Sequence, residues 1–443
     1  MRKGFKFNHY KCVNCNACSA ACILENGWTV HPRNIFIYNS DSEIVLPVIN
    51  LSLACNHCES AVCLTGCPAS AYSREASTGA IIIDEMKCIG CRYCQWNCPY
   101  DAPKYDEKKN TIAKCNLCCS GLIAGREPAC SNACPTGALK FGELSDTAPV
   151  GFYSWFPDKG LNPAIEFSGS KNNPPLKVIP EYGGSVEQLS QDQIKNKKEK
   201  NLSGEVSLII FSFLATISVS VLVSSLIKGV FPDKWIFVPL LICTGLVSFS
   251  HLGRKLRSWR SLANLRNSPL SREIAALITY SVVSVITVFM TLPALFIASS
   301  VSGLILLMLI DSVYIYADKS RAVILHSGQT FISALIIISF ISGSVLPFVF
   351  MALIKLGLLF YNQLINRFNN SEFTIRFLRL AFLVVPGLNL ILHNSHSDIF
   401  VIFIFLSGEL IDRILFYKDF NPININTLIN KQLNIERDEK KRH

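Results

Sequence analysis

The chain has 443 residues, 42 Lys and Arg against 32 Asp and Glu, a formal net charge of +10 and a mean hydropathy of +0.33. That length exceeds one ordinary core, and a positive mean hydropathy in a chain that is 17% charged requires a long apolar region. A nucleic-acid footprint would interleave basic residues with base-stacking aromatics, and the basic residues here do not follow that pattern.

The opening segment, MRKGFKFNHYKCVNCNACSA, has neither the apolar core of a signal peptide nor a twin-arginine pair, so nothing in the sequence itself is expected to export the cysteine-rich part. Sixteen of the 18 cysteines fall into four runs. They are Cys12, Cys15, Cys18 and Cys22; Cys55, Cys58, Cys63 and Cys67; Cys88, Cys91, Cys94 and Cys98; and Cys115, Cys118, Cys130 and Cys134. The third run, C-x2-C-x2-C-x3-C-P, has the bacterial ferredoxin spacing, in which three thiolates hold one cubane and the fourth crosses to a second. Sixteen thiolates suffice for four [4Fe–4S] clusters, and a row of clusters carries single electrons between two places. Structural zinc uses isolated C-x2-C pairs, and the spacing is too tight for disulfides. Of the remaining two cysteines, Cys119 could exchange with Cys118 as a ligand, and Cys243 reads as a small buried hydrophobe.

The runs are nested. Between the inner two, EASTGAIIIDEMK holds a turn and a β-branched run (Ile81, Ile82, Ile83), as in a ferredoxin hairpin. Cross-ligation predicts four quartets: Cys55, Cys58, Cys63 with Cys98; Cys67 with Cys88, Cys91, Cys94; Cys12, Cys15, Cys18 with Cys134; and Cys22 with Cys115, Cys118, Cys130. Pro68, Pro99 and Pro135 follow three of the fourth-position cysteines, whereas Ile23 follows Cys22, so the outer lobe is irregular at its start.

A Pro-, Gly-, Lys- and Asn-rich stretch reads as a linker, and from about residue 204 the sequence turns apolar. Apolar windows at 205–227, 235–251, 274–296, 298–317, 328–353, 374–393 and 398–416 mostly approach the roughly 20 residues of a spanning helix. Residues 328–365 form either one helix kinked near Gly343 and Pro347 or a hairpin of two with Lys355 in the second, giving seven or eight helices. Lys195, Lys197, Lys198 and Lys200, then Arg254, Lys255, Arg257, Arg260, Arg266 and Arg272, then Lys319 and Arg321, mark alternate connections, placing the cysteine-rich part on the cytoplasmic side. The expected organisation is a four-cluster domain at 1–165, a polar linker at 166–203, a helical membrane domain at 204–417 and a charged tail at 418–443. The fold class is an α+β ferredoxin-like double lobe followed by an all-α polytopic membrane domain.

CNHCESAVCLTGCPASAYSRE, CIGCRYCQWNCPYDAPKYD and KCNLCCSGLIAGREPACSNACPTGAL resemble the four-cluster subunit of the dimethyl sulfoxide reductase family of molybdoenzymes. SHLGRKLRSWRSLANLRNSPLSREIA and LSGELIDRILFY resemble that family's membrane anchor subunit, so the two subunits look fused here. The resemblance implies a bacterial inner-membrane protein that oxidises quinol (menaquinol as exchangeable substrate) and passes electrons to a molybdopterin-containing catalytic subunit reducing S-oxides or N-oxides. Its partners would be that subunit, the quinone pool and the bilayer, with no nucleic acid. Relatives serving tetrathionate, polysulfide, arsenate or selenate reduction, or formate oxidation, form the alternative, and a membrane redox sensor is a different class. Co-export with the catalytic subunit would reverse the sidedness.

His251, ending the second helix, could accept a quinol proton, since its ordinary pKa lies near neutrality. Its segment, with Gly253, Arg257, Trp259 and Ser261, resembles the anchor's quinol-proximal stretch, while the bland alternative is a histidine satisfying a helix end. Glu273 either relays protons or caps the third helix. Glu409 and Asp412 either pair with Arg413 or Arg379 or line a proton path.

Overall fold

The computed structural model describes residues 2–38, 48–144, 156, 160–167, 205–317, 321–366, 381–391, 399–420, 422, 424, 425 and 429. The linker basic residues, Lys319, Arg379 and most of the C-terminal tail lie outside them. The protein divides into two units, one of residues 1–199 with 422–443 and the other of 200–421.

In the first unit, β1 (Lys3–Phe7) lies between β8 (Leu139–Glu143), antiparallel, and β9 (Ile165–Phe167), parallel, closing the start of the sequence onto the end of the last cysteine run. Phe5, Phe7, Phe156 and Phe167 fill the core beneath. A two-stranded antiparallel ribbon separates each pair of consecutive runs. These ribbons are β2 (Asn34–Tyr38) with β3 (Ile49–Leu53), β4 (Tyr72–Arg74) with β5 (Ile81–Ile83), and β6 (Lys104–Asp106) with β7 (Thr111–Ala113). The isoleucine run expected as a hairpin strand is β5. The boundary expected at residue 165 falls inside β9, so the sheet extends the unit to at least Phe167.

Each run wraps in the same way. The second residue after the first cysteine has positive φ in all four: Asn14 at 55°, His57 at 43°, Gly90 at 69° and Leu117 at 62°. A leucine in the left-handed region is strained, and such strain gathers where the backbone must hold a group. The turn aims backbone amides at sulfur: His57 N lies 3.5 Å from Cys55 Sγ and Leu117 N 3.4 Å from Cys115 Sγ. Three residues after the fourth cysteine, φ is positive again at Ser70, Asp101 and Gly137. These are the three runs that end in Cys-Pro. The first run, lacking the proline, instead continues as α1 (Ala17–Asn26), and the other runs carry only the short helices α2 (Val62–Thr65), α3 (Tyr93–Asn97), α4 (Cys119–Ile123) and α5 (Ala129–Asn132).

The second unit is helical. Its long helices are α6 (Val206–Lys228), α7 (Lys234–Ser250), α8 (Pro269–Met290), α9 (Pro293–Ala317), α11 (Thr330–Ser342), α12 (Val345–Asn366), α13 (Ala381–Ile391) and α14 (Ile399–Asp419), with a short α10 (Arg321–Ile324). Three of them, α6, α8 and α9, are long and apolar enough to cross a membrane, or four if α7 and the 3-10 helix Lys255–Leu262 are taken as one bent span. Ser212, Thr216, Ser220 and Ser224 repeat every fourth residue along α6, all buried. Ser220 Oγ and Ser224 Oγ each lie 3.4 Å from carbonyls of α11, so small residues let these two backbones approach.

Several expectations are corrected here. The window at 274–296 begins too late and ends too late: Ser268 caps α8 before Pro269, and Pro293 starts the next helix. Of the two readings open for residues 328–365, the pair of helices holds: they part at left-handed Gly343, with Lys355 in the second. Cys243 is exposed on α7, not buried. The tail is not simply a charged end, because Ile425 and Ile429 are buried in the core of the first unit.

Candidate functional site

Thiols from different runs share one another's fields. Cys58 and Cys63 both face Cys55 and Cys98, and burial raises both thiols. Burial likewise pushes Cys98 up to about 12. Cys67 faces Cys88, and Cys91 and Cys94 each face Cys67 and Cys88. In the outer lobe, Cys12 faces Cys18, Cys134 and Cys15. Cys22 faces Cys130 and Cys118 and is raised to about 12 by burial. Cys115 faces Cys22 and Cys130. Cys134 ends below its ordinary value: burial pushes it up, but the amide of Leu139, the Thr136 hydroxyl and further amides outweigh that. Cys119 meets Thr78 Oγ at 3.5 Å.

Among the described residues, no three His, Cys, Asp or Glu side chains close on a single point as one ion requires. Thiols that share a field without converging, and that accept amide hydrogen bonds, fit a cubane with its wider ring of corner irons. Ala71 N to Cys67 Sγ and Leu139 N to Cys134 Sγ, both 3.4 Å, add to those at Cys55 and Cys115. Such donors stabilise sulfur's negative charge.

Two buried cations attend the thiols, and sequence reasoning missed both. Arg33 is 2% exposed and Lys114 1%. Lys114 Nζ donates to the carbonyls of Ile81 and Cys115. His57, buried with Nδ1 accepting from Ile81 N at 2.9 Å, is held well below its ordinary pKa by burial and then by Lys114. No spacing rule links these residues to the cysteines; only the fold brings them in.

In the helical unit, His251 is the C-terminal cap of α7, half-buried. The backbone then bends by 99° into the 3-10 helix Lys255–Leu262, which packs against α8. Arg257 therefore sits across a sharp corner from His251. Gly253 lies in the bend, Ser261 is buried and Trp259 exposed, with Arg260 5.0 Å from its ring centre. Glu273 is buried a full turn inside α8, whose cap is Ser268, so capping is not its task; it faces Arg413 and Asp311.

Glu409 and Asp412 take a partner the sequence reading did not name. Lys355, fully buried, donates to Glu409, to Asp412 at 3.1 Å and to Ser333 Oγ at 3.0 Å. Arg413 instead pairs with Asp311 at 3.8 Å and donates to Ser212 Oγ at 2.8 Å and the Gly328 carbonyl at 3.0 Å. Asp311 accepts from the amides of Thr330 and Phe331, capping α11 from another helix.

A 4Fe-4S dicluster domain model matches residues 47–144. An anaerobic dimethyl sulfoxide reductase chain from Haemophilus influenzae is 36% identical over 154 residues, which is 32% of this protein and 75% of the relative. The thiosulfate reductase electron transfer subunit PhsB of Salmonella typhi is 34% identical, over 31% of this protein and 73% of its own length. A sulfite dehydrogenase subunit from Allochromatium vinosum is 28% identical, over 39% and 75%.

Proposed function

We propose, from the premise that the protein belongs through its N-terminal third to the family of iron–sulfur electron-transfer subunits found in anaerobic dimethyl sulfoxide reductase, that it joins a four-cluster relay to a quinol-oxidising membrane anchor. The reading rests above all on the way thiols of one run face thiols of another: Cys98 with Cys55, Cys58 and Cys63, and Cys67 with Cys88, Cys91 and Cys94. Four quartets, the two inner ones and the two shared by the first and last runs, would hold four [4Fe–4S] clusters, which supply one-electron transfer when bound.

The helical unit would be the anchor, with seven or eight crossings and the cluster domain on the cytoplasmic side. His251, at a helix end beside a bend, would take a proton from quinol. Arg257 and Ser261 in the bent segment would orient the quinol, with Gly253 shaping the bend, exposed Trp259 meeting the headgroup region and Glu273 receiving a proton inside α8. Electrons would leave for a molybdenum-containing partner that reduces dimethyl sulfoxide or related S- and N-oxides. A second reading has direct support: the relatives named for thiosulfate and sulfite leave an inorganic sulfur oxyanion as the substrate class.

Chemical analysis of the anaerobically purified protein should find about sixteen irons and sixteen sulfides, four cubanes' worth. Bound zinc with little sulfide would remove the relay. Cys67→Ser should alter the spectrum of the cluster held by Cys88, Cys91 and Cys94; loss of the Cys55 cluster instead would reverse the pairing. Quinol oxidation against a panel of acceptors, with the native partner present, decides between the two substrate classes.

A further inference from the structure

Arg33 stands at the entry to β2, buried, and takes part in none of the ion pairs among the described residues. Its guanidinium donates to Ser52 Oγ at 3.1 Å and lies 4.6 Å from the centre of the Phe5 ring. Ser52 Oγ is also 3.4 Å from Cys18 Sγ, and Ser19 Oγ holds the Arg33 carbonyl at 2.7 Å. The side chain is thus fixed from β1 and β3, and the backbone behind it from α1.

A guanidinium in the interior must have an opposite charge near it. No carboxylate supplies one among the described residues. The thiols that feel its charge are Cys18 and Cys22 of the first run and Cys115 and Cys130 of the last. These thiols belong to both outer quartets. Lys114 differs: its ammonium is turned to two carbonyls, and it faces Cys63 of the inner lobe.

We propose that Arg33 is a fixed cation shared by the two outer clusters, raising the reduction potential of both, and that Ser52 is the positioning residue that holds it there. The electron entering an outer cluster comes from quinol, or from dithionite in the test, and leaves to the next cluster. It adds one negative charge to a centre already ligated by four thiolates. In a low-dielectric interior, a nearby cation stabilises the reduced form more than the oxidised one. One guanidinium facing thiols of both outer quartets would act on both.

The inference rests on the four-cluster reading, and iron and sulfide counted in each sample separate the failure of one from the failure of the other. The full-length protein carrying Arg33→Gln is purified anaerobically and titrated with dithionite while each cluster is followed by electron paramagnetic resonance. Cys18→Ser and Cys115→Ser identify the two outer signals. The expected result is full iron and sulfide, with at least a tenfold loss in the reduced-to-oxidised ratio of both outer clusters at a given potential, a downward shift of about 59 mV or more. The inner clusters stay where they were, and Arg33→Lys stays close to the unaltered protein. Ser52→Ala keeps every charge and gives a smaller downward shift in the same pair. Unchanged outer potentials in a fully loaded Arg33→Gln protein, or an equal shift in all four clusters, overturn the proposal. Should Arg33→Gln fail to load, Ser52→Ala decides, and an unmoved outer pair overturns it. Iron and sulfide far below four clusters in the unaltered protein would instead bring down the cluster reading itself.

Discussion

Both units bury cations, and they neutralise them differently. In the helical unit, Lys355 and Arg413 meet Glu409, Asp412 and Asp311, so side chains of the same unit complete the charge. In the cysteine-rich unit, Arg33 and Lys114 meet thiols, a hydroxyl and carbonyls, with no carboxylate among their described ion pairs. The helical unit's buried cations therefore find carboxylates within their own unit, while those of the cysteine-rich unit are balanced only when the thiols carry charge, as cluster ligation requires.

The sharpest separation of the two should come from His251→Ala. Electron entry from quinol is expected to be abolished while dithionite still reduces every cluster, since the cysteines lie in the other unit. Quinol-driven reduction that survives would make His251 structural and move attention to Glu273. Next in size is Lys355→Met, which leaves Glu409 and Asp412 buried without their cation and should destabilise the helical unit by about 3–5 kcal/mol. Unfolding in detergent mixtures measures this, and iron content should not fall. Adding Glu409→Gln and Asp412→Asn to that variant should recover much of the loss. Arg257→Ala should weaken quinol or inhibitor binding by about 1–3 kcal/mol, the cost of a lost charged hydrogen bond, read as a rise in inhibitor Kd.

The smallest effect is one of order. After iron is stripped, alkylation at mildly alkaline pH should reach Cys134 before Cys22. Thiolate is the reactive form, and Cys134 ionises below its ordinary value while Cys22 ionises only at about 12. Mass spectrometry of the labelled peptides gives the order; equal labelling would show that the stripped unit has opened.

The cysteine runs were legible because ligand spacing is local, and the third run states it in consecutive residues ending at Pro99. The ribbons between runs were legible only at Ile81–Ile83, where β-branching is concentrated. β6 and β7 are three residues each and are held by pairing with each other, which no window reveals. The start of α8 was missed because its first turn, Pro269 to Arg272, is polar at two positions and lowers the apolar average, although Ser268-Pro269 is a cap signature. The partner of Glu409 and Asp412 lies more than fifty positions away on α12, beyond any helical spacing rule, so Arg413 next door was the visible candidate. Cys243 was misjudged because an apolar stretch does not say which side of its helix faces outward.

The backbone amide of Ile425 donates to the carbonyl of Pro99 at 2.6 Å, and both residues belong to the unit that residues 200–421 interrupt. Topologically, the helical unit is an excursion that departs from one folded body and comes home to it. With the anchor role proposed above, parity follows: such an excursion traverses a bilayer an even number of times. A reporter fused after residue 443 should then lie on the same side of the membrane as one fused before residue 1.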